Sequence, residues 1–266
     1  MNKKIFLLFI NFLLINTAIF SQKFRSVENT AFKSGEKLYY KIYYKTLLLG
    51  NLKAGSGTLS VEEGNKLFYN RSTYHIKVQG KSEGVFNFFI KIDDRFETYV
   101  DRKGLFSWNF IRKIKEGKYR KYENIKFNAH KNLAFSKKKI IPIPDNIQDI
   151  ISVIYYARTL NISDKEVGDT FPLNFFIDDS VYLSVIKYAG KEIIKTDFGK
   201  IRCLKLKPMV VTGKVFKEKY PMTLWISDDK NHLPILMKTG IKVGSVAMEL
   251  INYSGLKNKK DALIVE

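Results

Sequence analysis

The sequence predicts a mainly β protein: a curved antiparallel sheet or partial barrel of about a dozen strands, with one packed helix at about residues 145–160. Many segments alternate apolar and polar side chains with period two, and turn-forming residues interrupt them at short spacing. One segment has helical spacing instead. A chain of 266 residues with 45% hydrophobic and 27% charged residues is large enough to bury a sizeable core.

The first 21 residues have the pattern of a secretory signal peptide. Lys3 and Lys4 give a positive start, Ile5–Ile15 is a largely apolar run, and Ser21 is a small residue suited to cleavage. The alternative, an uncleaved anchor, needs about 20 apolar residues to span a bilayer, and this run is shorter. Because no cysteine adjoins the cleavage point, we expect an exported protein, periplasmic or outer-envelope associated, that is neither a lipoprotein nor transmembrane.

The chain is strongly basic. Lys and Arg number 46 against 26 Asp and Glu, a formal net charge of +20, and removal of residues 1–21 leaves +18 because two lysines are lost. This charge would attract the protein to an anionic partner surface. We favour the simpler interpretation that the lysines form a solvated protein surface, which needs no partner. Export argues against nucleic acid. Lysines that alternate on many strands argue against an outer-membrane barrel, since charge on a lipid face is costly.

We divide the remainder into a leader at residues 22–34, a single β-rich domain at 35–255 and a basic tail at 256–266. In Lys37–Tyr44, every second residue from Leu38 is large and apolar, which is typical of a strand with one wet face. Further strands are predicted at residues 74–79, 95–101, 105–114, 119–127, 133–140, 170–177, 181–196, 201–212, 216–227, 233–241 and 245–253.

One segment departs from the strand period. Asp145 follows Pro144, and Gln148 stands three residues after Asp145, which is a capping-box pattern for the start of a helix. Apolar residues then recur at helical spacing and form a stripe that must pack against the sheet. The stripe consists of Ile147, Ile150, Ile151 and Ile154, with Tyr155 alongside. A short helical turn is also predicted at Gly84–Phe89.

Few residues suit catalysis or metal binding. The histidines are His75, His130 and His232. They are too far apart in sequence for ligand spacing, and Cys203 lies in a strand pattern as a buried filler. We therefore predict no enzymatic activity, no cofactor and no metal. The alternative is a hydrolase that acts on an envelope polymer through remote carboxylates. The candidates for its acid and base are Asp94, Glu97 and Glu116.

The candidate ligand-binding residues are Arg95, Glu97, Tyr99, Ile147, Ile151 and Tyr155. The first three share one face of a strand, either as ligand contacts or, more simply, in a salt bridge with a neighbouring strand within residues 112–121. The other three belong to the helix and its apolar stripe. We predict that a lipid or another apolar or amphipathic envelope ligand binds between the helix and the concave sheet face. A dry, fully packed core is the alternative.

Several short segments occur in a characteristic order. They are Gly35–Tyr40, Gly50–Gly55, Asp94–Asp101, Arg112–Gly117, Ile143–Asp149, Tyr155–Arg158, Gly199–Leu204, Leu224–Asp229 and Leu233–Ile235. The set resembles the bacterial domain-of-unknown-function 3108 family over roughly residues 35–253. The resemblance implies an exported, β-rich single domain and supplies no catalytic residue, because the family has no established activity. At fold level it is similar to half-barrel lipoprotein carriers, which is an analogy of architecture alone.

Overall fold

The structure is a computed structural model that describes residues 24–46, 50–209, 220–241 and 244–264. Within these ranges the chain forms sixteen strands and two short helices. The strands are β1 Lys37–Thr46, β2 Gly50–Glu63, β3 Thr73–Ser82, β4 Asp93–Asp101, β5 Ser107–Glu116, β6 Tyr119–Asn128, β7 Leu133–Phe135, β8 Ile140–Pro142, β9 Gln148–Asp149, β10 Thr170–Ile177, β11 Ser180–Thr196, β12 Gly199–Pro208, β13 Met222–Ser227, β14 Pro234–Gly240, β15 Ser245–Ser254 and β16 Leu263–Ile264. The helices are α1 Phe86–Phe89 and α2 Ser152–Ala157.

Fifteen of these strands form one curved sheet in the order β8-β7-β6-β5-β4-β3-β2-β1-β15-β14-β13-β12-β11-β10-β9. Their pairings are antiparallel apart from β9, which runs parallel to β10. The sixteenth strand, β16, pairs with the first residues of β12. Strands adjacent in sequence are thus adjacent in the sheet, except that β8 and β9 lie at its two ends and β16 pairs with β12. The β1–β15 pairing joins the two halves of the chain. The predicted fold class, a curved antiparallel sheet with a packed helix, is confirmed.

The strands follow the period-two patterning of the sequence. In β1, Leu38 and Tyr40 are buried whereas Tyr39 between them is exposed, as expected for a strand with one wet face. Strand β11 carries a bulge where its register with β12 shifts between Tyr188 and Lys191. Gly190 lies in this interval with φ of +97°, a conformation open to glycine. Bulges of this kind bend a strand and so help the sheet to curve.

Side chains connect the two ends of the curved sheet. Thr98 on β4 donates a hydrogen bond to Asp149 on β9 at 2.5 Å. Near the hairpin between β10 and β11, Asp178 forms ion pairs with Arg112 on β5 and, at 2.7 Å, with Lys121 on β6. The strands at one end of the sheet therefore fold over those at the other, which gives a partial barrel closed by side chains rather than by a backbone ladder.

The helix predicted at residues 145–160 is much shorter than expected. Asn146 adopts a left-handed conformation with φ of +54°, and the Ile147 carbonyl accepts a hydrogen bond from the Ser107 amide on β5 at 3.0 Å. Gln148–Asp149 then forms β9, so α2 begins only at Ser152. Asp145 does not cap it. The Asp149 carboxylate instead accepts the amides of Ile151 and Ser152 at 2.7 and 2.9 Å.

One strand prediction is corrected, and both segments that flank the predicted domain contribute to the fold. The segment predicted as one strand at 133–140 is a hairpin, β7 and β8. The leader at 22–34 has no regular structure where it is described, but Ala31 and Phe32 are fully buried in the main core. In the described part of the tail, Ala262 is likewise fully buried and β16 pairs with β12. Buried apolar side chains of both flanking segments therefore contribute to the stability of the fold. The predicted turn at Gly84–Phe89 is present as α1.

Two apolar clusters flank helix α2. The larger one contains Phe32, Tyr40 and Tyr155, and the smaller one contains Leu173, Leu206 and Ile226. No helix in the described ranges has the length and apolar character needed to cross a bilayer.

Candidate ligand-binding site

A cavity of about 350 Å³ lies between α2 and the inner face of strands β10 to β15. Its volume is at the small end of the range for small-molecule pockets, roughly 300–1,000 Å³. The lining residues are Leu59, Ile150, Val153, Ile154, Ala157, Arg158, Leu173, Phe175, Ser184, Ile186, Leu206, Pro208, Met209, Met222, Leu224, Ile226, Pro234, Met237 and Met248. Nearly all of them present hydrocarbon or thioether groups, so the cavity is suited to an apolar chain.

The segment that ends in α2 has two apolar faces with different roles. Ile150, Val153, Ile154 and Ala157 recur at helical spacing and line the cavity. On the other side of the same segment are three of the predicted site residues, Ile147, Ile151 and Tyr155, all buried in the main core. These three predicted residues therefore lie on the face that packs in the core, and the other face of the same segment lines the cavity.

Strand alternation supplies the opposite wall. Leu173 and Phe175 on β10, Leu206 and Pro208 on β12, and Leu224 and Ile226 on β13 are pairs two residues apart that line the cavity. These wall residues were not among the predicted ligand-binding residues. The signal was present, because their period-two spacing predicts one shared sheet face. What the spacing lacked was any indication that this face borders a void.

Arg158 borders the cavity, yet its charge is already paired. Its Nη1 and Nη2 donate to the two carboxylate oxygens of Glu36 at 2.6 and 2.8 Å, and both side chains are buried. Burial opposes the charged guanidinium, but attraction and hydrogen bonds from Glu36 outweigh that penalty and raise the pKa of Arg158. For the neighbouring Tyr155, burial is the main cause that raises the pKa, far above its ordinary value. This end of the cavity is thus electrically neutral.

The other polar lining residue is also satisfied. Ser184 donates its hydroxyl to the Met209 carbonyl at 2.8 Å. Met209, Met222, Met237 and Met248 contribute thioethers to the lining, and flexible methionine side chains adapt to apolar ligands of different shape. The site therefore distinguishes ligands by apolar bulk rather than by a directed hydrogen bond.

The methionines lie near one end of the sheet, which we call the upper rim: the end at which β3 joins β4, β5 joins β6 and β14 joins β15. Strand β12 ends at Pro208 and β13 starts at Met222 on this side, because β13 pairs antiparallel with β14 and Met222 lies opposite Thr239. The Arg158–Glu36 pair marks the opposite end, since Glu36 directly precedes β1. The cavity thus extends from a neutral buried ion pair towards the upper rim.

Arg95, Glu97 and Tyr99 lie apart from this cavity. They occupy the face of β4 opposite to Thr98, whose side chain points inward to Asp149. Arg95 and Glu97 border a separate polar groove of about 420 Å³ together with His75 and other side chains of β2 and β3. Tyr99 is buried beside it. The candidate ligand-binding residues therefore do not form one site.

The partners of this polar row also differ from those predicted. His75 Nε2 lies 3.0 Å from Glu97 Oε2, and the His75 ring stacks on Tyr99 with centroids 4.3 Å apart. Arg95 pairs with Asp93 on its own strand at 3.2 Å. The neighbouring strand that contributes is β3, not residues 112–121. Burial, only partly offset by the hydrogen bond with the Glu97 carboxylate, lowers the pKa of His75 and so favours the neutral imidazole.

The carboxylates proposed for a hydrolase are only partly assembled. Asp94 and Glu116 are hydrogen-bonded neighbours, and burial together with the Asp94 carboxylate raises the pKa of Glu116. Asp94 also accepts the Lys115 amide at 2.9 Å. Glu97 instead pairs with His75. The hydrogen bond between the Asp94 and Glu116 carboxyl groups connects β4 to β5 at the upper rim.

The remaining candidates for chemistry have structural roles. His232 Nδ1 lies 2.7 Å from the Arg158 carbonyl. Cys203 is fully buried, and burial raises the pKa of its thiol to about 12, so the thiolate that reacts is scarce. In the described part of the chain no three His, Cys, Asp or Glu side chains are grouped in a way that suits a metal ion.

The fold and the site together define a partial β-barrel that contains an apolar cavity. The profile of the family described as "Protein of unknown function (DUF3108)" matches residues 39–251, and the chain belongs to this family. The predicted family membership is thus confirmed. Among proteins with curated descriptions none matches the chain.

One solved structure agrees with the architecture, and two others were matched at lower TM-scores. The chain is similar to a crystal structure of a β-barrel-like protein of domain of unknown function DUF1849 from Brucella abortus, with a TM-score of 0.55 at 11% identity, covering 87% of this chain and 98% of that one. A candidate lipoprotein from Parabacteroides distasonis gives a TM-score of 0.35 at 12% identity, covering 87% and 100%. A candidate exported protein with a YmcC-like fold from Bacteroides fragilis gives a TM-score of 0.30 at 12% identity, covering 87% of this chain and 100% of that one. At 11% identity, the similarity to the DUF1849 protein concerns the fold alone.

Proposed function

We propose that this protein is a non-enzymatic binding protein of the bacterial envelope that holds the apolar chain of a lipid or another amphipathic molecule. The cavity beneath α2 is the observation that carries the proposal, because its lining is almost entirely apolar. Transfer of each methylene group from water into such a site contributes about 0.8 kcal/mol. The predicted signal peptide, which lies outside the described residues, supports an envelope location.

The polarity of the cavity indicates how such a ligand is oriented. A carboxylate or phosphate beside Arg158 meets a guanidinium that Glu36 already neutralises with two hydrogen bonds. Burial of a further unpaired charge there is costly. The polar head of an amphipathic ligand is therefore expected at the upper rim, with its apolar chain directed towards α2.

The proposal is tested by a pair of substitutions on the same short segment. In Ile154→Trp the added bulk enters the cavity, whereas in Ile151→Trp it enters packed core. With cis-parinaric acid as a fluorescent probe, we expect Ile154→Trp to weaken binding at least tenfold with little loss of stability. Ile151→Trp is expected to lose about 1–3 kcal/mol of stability, as overpacked cores do.

The complementary measurement concerns the natural occupant. Native mass spectrometry of protein purified from its own cell envelope, followed by organic extraction, should reveal a bound lipid-like molecule. Absence of probe binding to the wild type, together with a loss of stability in Ile154→Trp equal to that in Ile151→Trp, would show that the region is a packed core and would contradict the proposal.

A further inference from the structure

The loop between β3 and β4 exposes a cluster of large apolar side chains. It includes α1, in which Phe88 and Phe89 are 91% and 82% exposed, and Val85 and Ile90 beside them are also exposed. Single exposed apolar residues are common, but a contiguous group of this kind usually marks an interaction surface. We call residues 84–91 the aromatic loop.

The rest of the sheet holds the aromatic loop in place. The Glu83 amide donates to the Ala54 carbonyl at 3.0 Å, and the Ile92 amide donates to Ser82 Oγ at 2.8 Å. The Gly117 amide of the β5–β6 hairpin donates to the Lys91 carbonyl at 2.9 Å. Phe86, between the exposed residues, packs edge-on against Tyr44 with centroids 5.6 Å apart. One aromatic ring therefore anchors the loop while its neighbours face solvent.

Basic side chains surround the aromatic loop. Exposed ones on β3, on the loop itself and on the adjoining β5–β6 hairpin are Lys81, Lys91, Lys115, Lys118 and Arg120. Nearby acids have partners of their own: Glu83 pairs with Lys53 at 2.7 Å, and Asp93 pairs with Arg95 at 3.2 Å. Asp94 and Glu116 share a hydrogen bond, and Asp94 also accepts the Lys115 amide at 2.9 Å. The surface beside the aromatic rings is consequently positive.

Exposed aromatic rings next to lysines match the interface of an anionic bilayer. Phenylalanine side chains enter the boundary between headgroups and acyl chains. Each lysine or arginine near an anionic lipid surface adds about 1 kcal/mol. The aromatic loop also lies at the upper rim, the same end of the sheet that the cavity approaches through Met209 and Met222.

We propose that the aromatic loop docks this protein on an anionic phospholipid bilayer, with Phe88 and Phe89 inserted into the interface and the surrounding lysines on the headgroups. The docking does not depend on what fills the cavity. It places the upper rim, and with it the approach to the cavity, against the membrane surface.

Vesicle sedimentation tests this docking. Protein purified from cells that express the full chain is mixed with vesicles of phosphatidylglycerol and phosphatidylethanolamine, or of phosphatidylcholine alone. We expect the wild type to pellet with the first and to remain in solution with the second, and added salt to release it. Phe88→Asp combined with Phe89→Asp should lower the pelleted fraction at least tenfold.

The matched control is Val167→Asp combined with Ile193→Asp. These two apolar side chains are also well exposed, but Ile193 lies opposite Arg202, towards the end of the sheet away from the upper rim. We expect this variant to bind vesicles like the wild type. Both double variants should keep the wild-type melting temperature and the wild-type affinity for cis-parinaric acid, because neither pair lies in the core or in the cavity.

Three outcomes would overturn the docking proposal. They are failure of the wild type to pellet with anionic vesicles, equal pelleting of the Phe88/Phe89 variant, and equal loss of binding in the control variant. Binding to native envelope vesicles but not to pure lipid would assign the loop to a protein partner and also overturn it. Failure of the wild type to bind cis-parinaric acid would count against the cavity proposal alone. The two proposals can therefore fail separately.

Discussion

Arg158 and Glu36, which are 122 residues apart in sequence, form a fully buried ion pair with two hydrogen bonds. Arg158 also donates to the carbonyls of Asn231 at 3.1 Å and Ala31 at 3.4 Å. One guanidinium therefore joins the segment before β1, the end of α2 and the turn between β13 and β14. The same pair closes one end of the apolar cavity, so stability and the shape of the candidate site depend on it together.

Removal of one partner of this pair is expected to destabilise the protein strongly. Glu36→Gln leaves the guanidinium buried without its counter-charge, and Arg158→Met leaves the carboxylate in the same state. We expect each to lower the free energy of unfolding by about 3–5 kcal/mol in urea denaturation. Combining Arg158→Met with Glu36→Leu should recover a large part of the loss, because no isolated charge then remains buried. A double variant as unstable as the sum of the single ones would contradict this account.

Asp101 should make the free energy of unfolding depend on pH in the acidic range. Burial disfavours its charge, but hydrogen bonds from Arg71, the Gly104 amide and Trp108 outweigh burial and lower the pKa of the carboxyl. The stabilisation that results from this lowered pKa is complete above the pKa of the unfolded-state carboxyl, about 3.9. It is lost as the pH falls through the lower pKa of the folded-state carboxyl. We expect Asp101→Asn to cost about 2–3 kcal/mol at pH 7.

The measurement for Asp101 is the free energy of unfolding as a function of pH. The difference between wild type and Asp101→Asn should shrink below about pH 4, where the unfolded carboxyl is already protonated. Asp164→Asn, at an exposed position, serves as the control and should change stability by less than about 0.5 kcal/mol. A difference that is independent of pH would mean that charge on Asp101 is not what stabilises the fold.

The ion pair between Asp178 and Arg112 should control how firmly the two ends of the sheet hold together. Asp178→Asn removes this contact and leaves Arg112 paired with Glu123 on β6. Because Asp178 is half-exposed, the loss of global stability should stay within about 1 kcal/mol. Hydrogen exchange of amides in the β10–β11 hairpin should nevertheless accelerate. Asp179→Asn, one residue away, is the control and should leave exchange unchanged.

Cys203 should be inert in the native protein. Its thiol is fully buried with a pKa of about 12, so iodoacetamide at pH 8 finds neither access nor thiolate. We expect no modification by mass spectrometry under native conditions and complete modification in urea. Rapid labelling of the folded protein would show that the β12 region opens readily.

Much of the fold was predictable because strand patterning is local. Strand β10 has the predicted bounds, Thr170–Ile177, and β15 differs from the prediction by one residue at its end. Alternation of side chains between two faces follows from the backbone of a strand, so a few consecutive residues suffice to recognise it. Family membership was recognised for a related reason, since it rests on the order of such segments.

The candidate site depended on contacts between distant residues. The sequence pattern by itself determined that residues 147–157 carry apolar side chains on more than one face. Only the tertiary structure decided that Ile151 packs while Ile154 borders a void, because that choice depends on where β9 meets β10 and on the Ser107 amide that holds the Ile147 carbonyl. Likewise, Glu97 forms its hydrogen bond with His75 on β3 rather than with a residue of β5. The register and the rotamers of the folded sheet determine which side chains pair across strands.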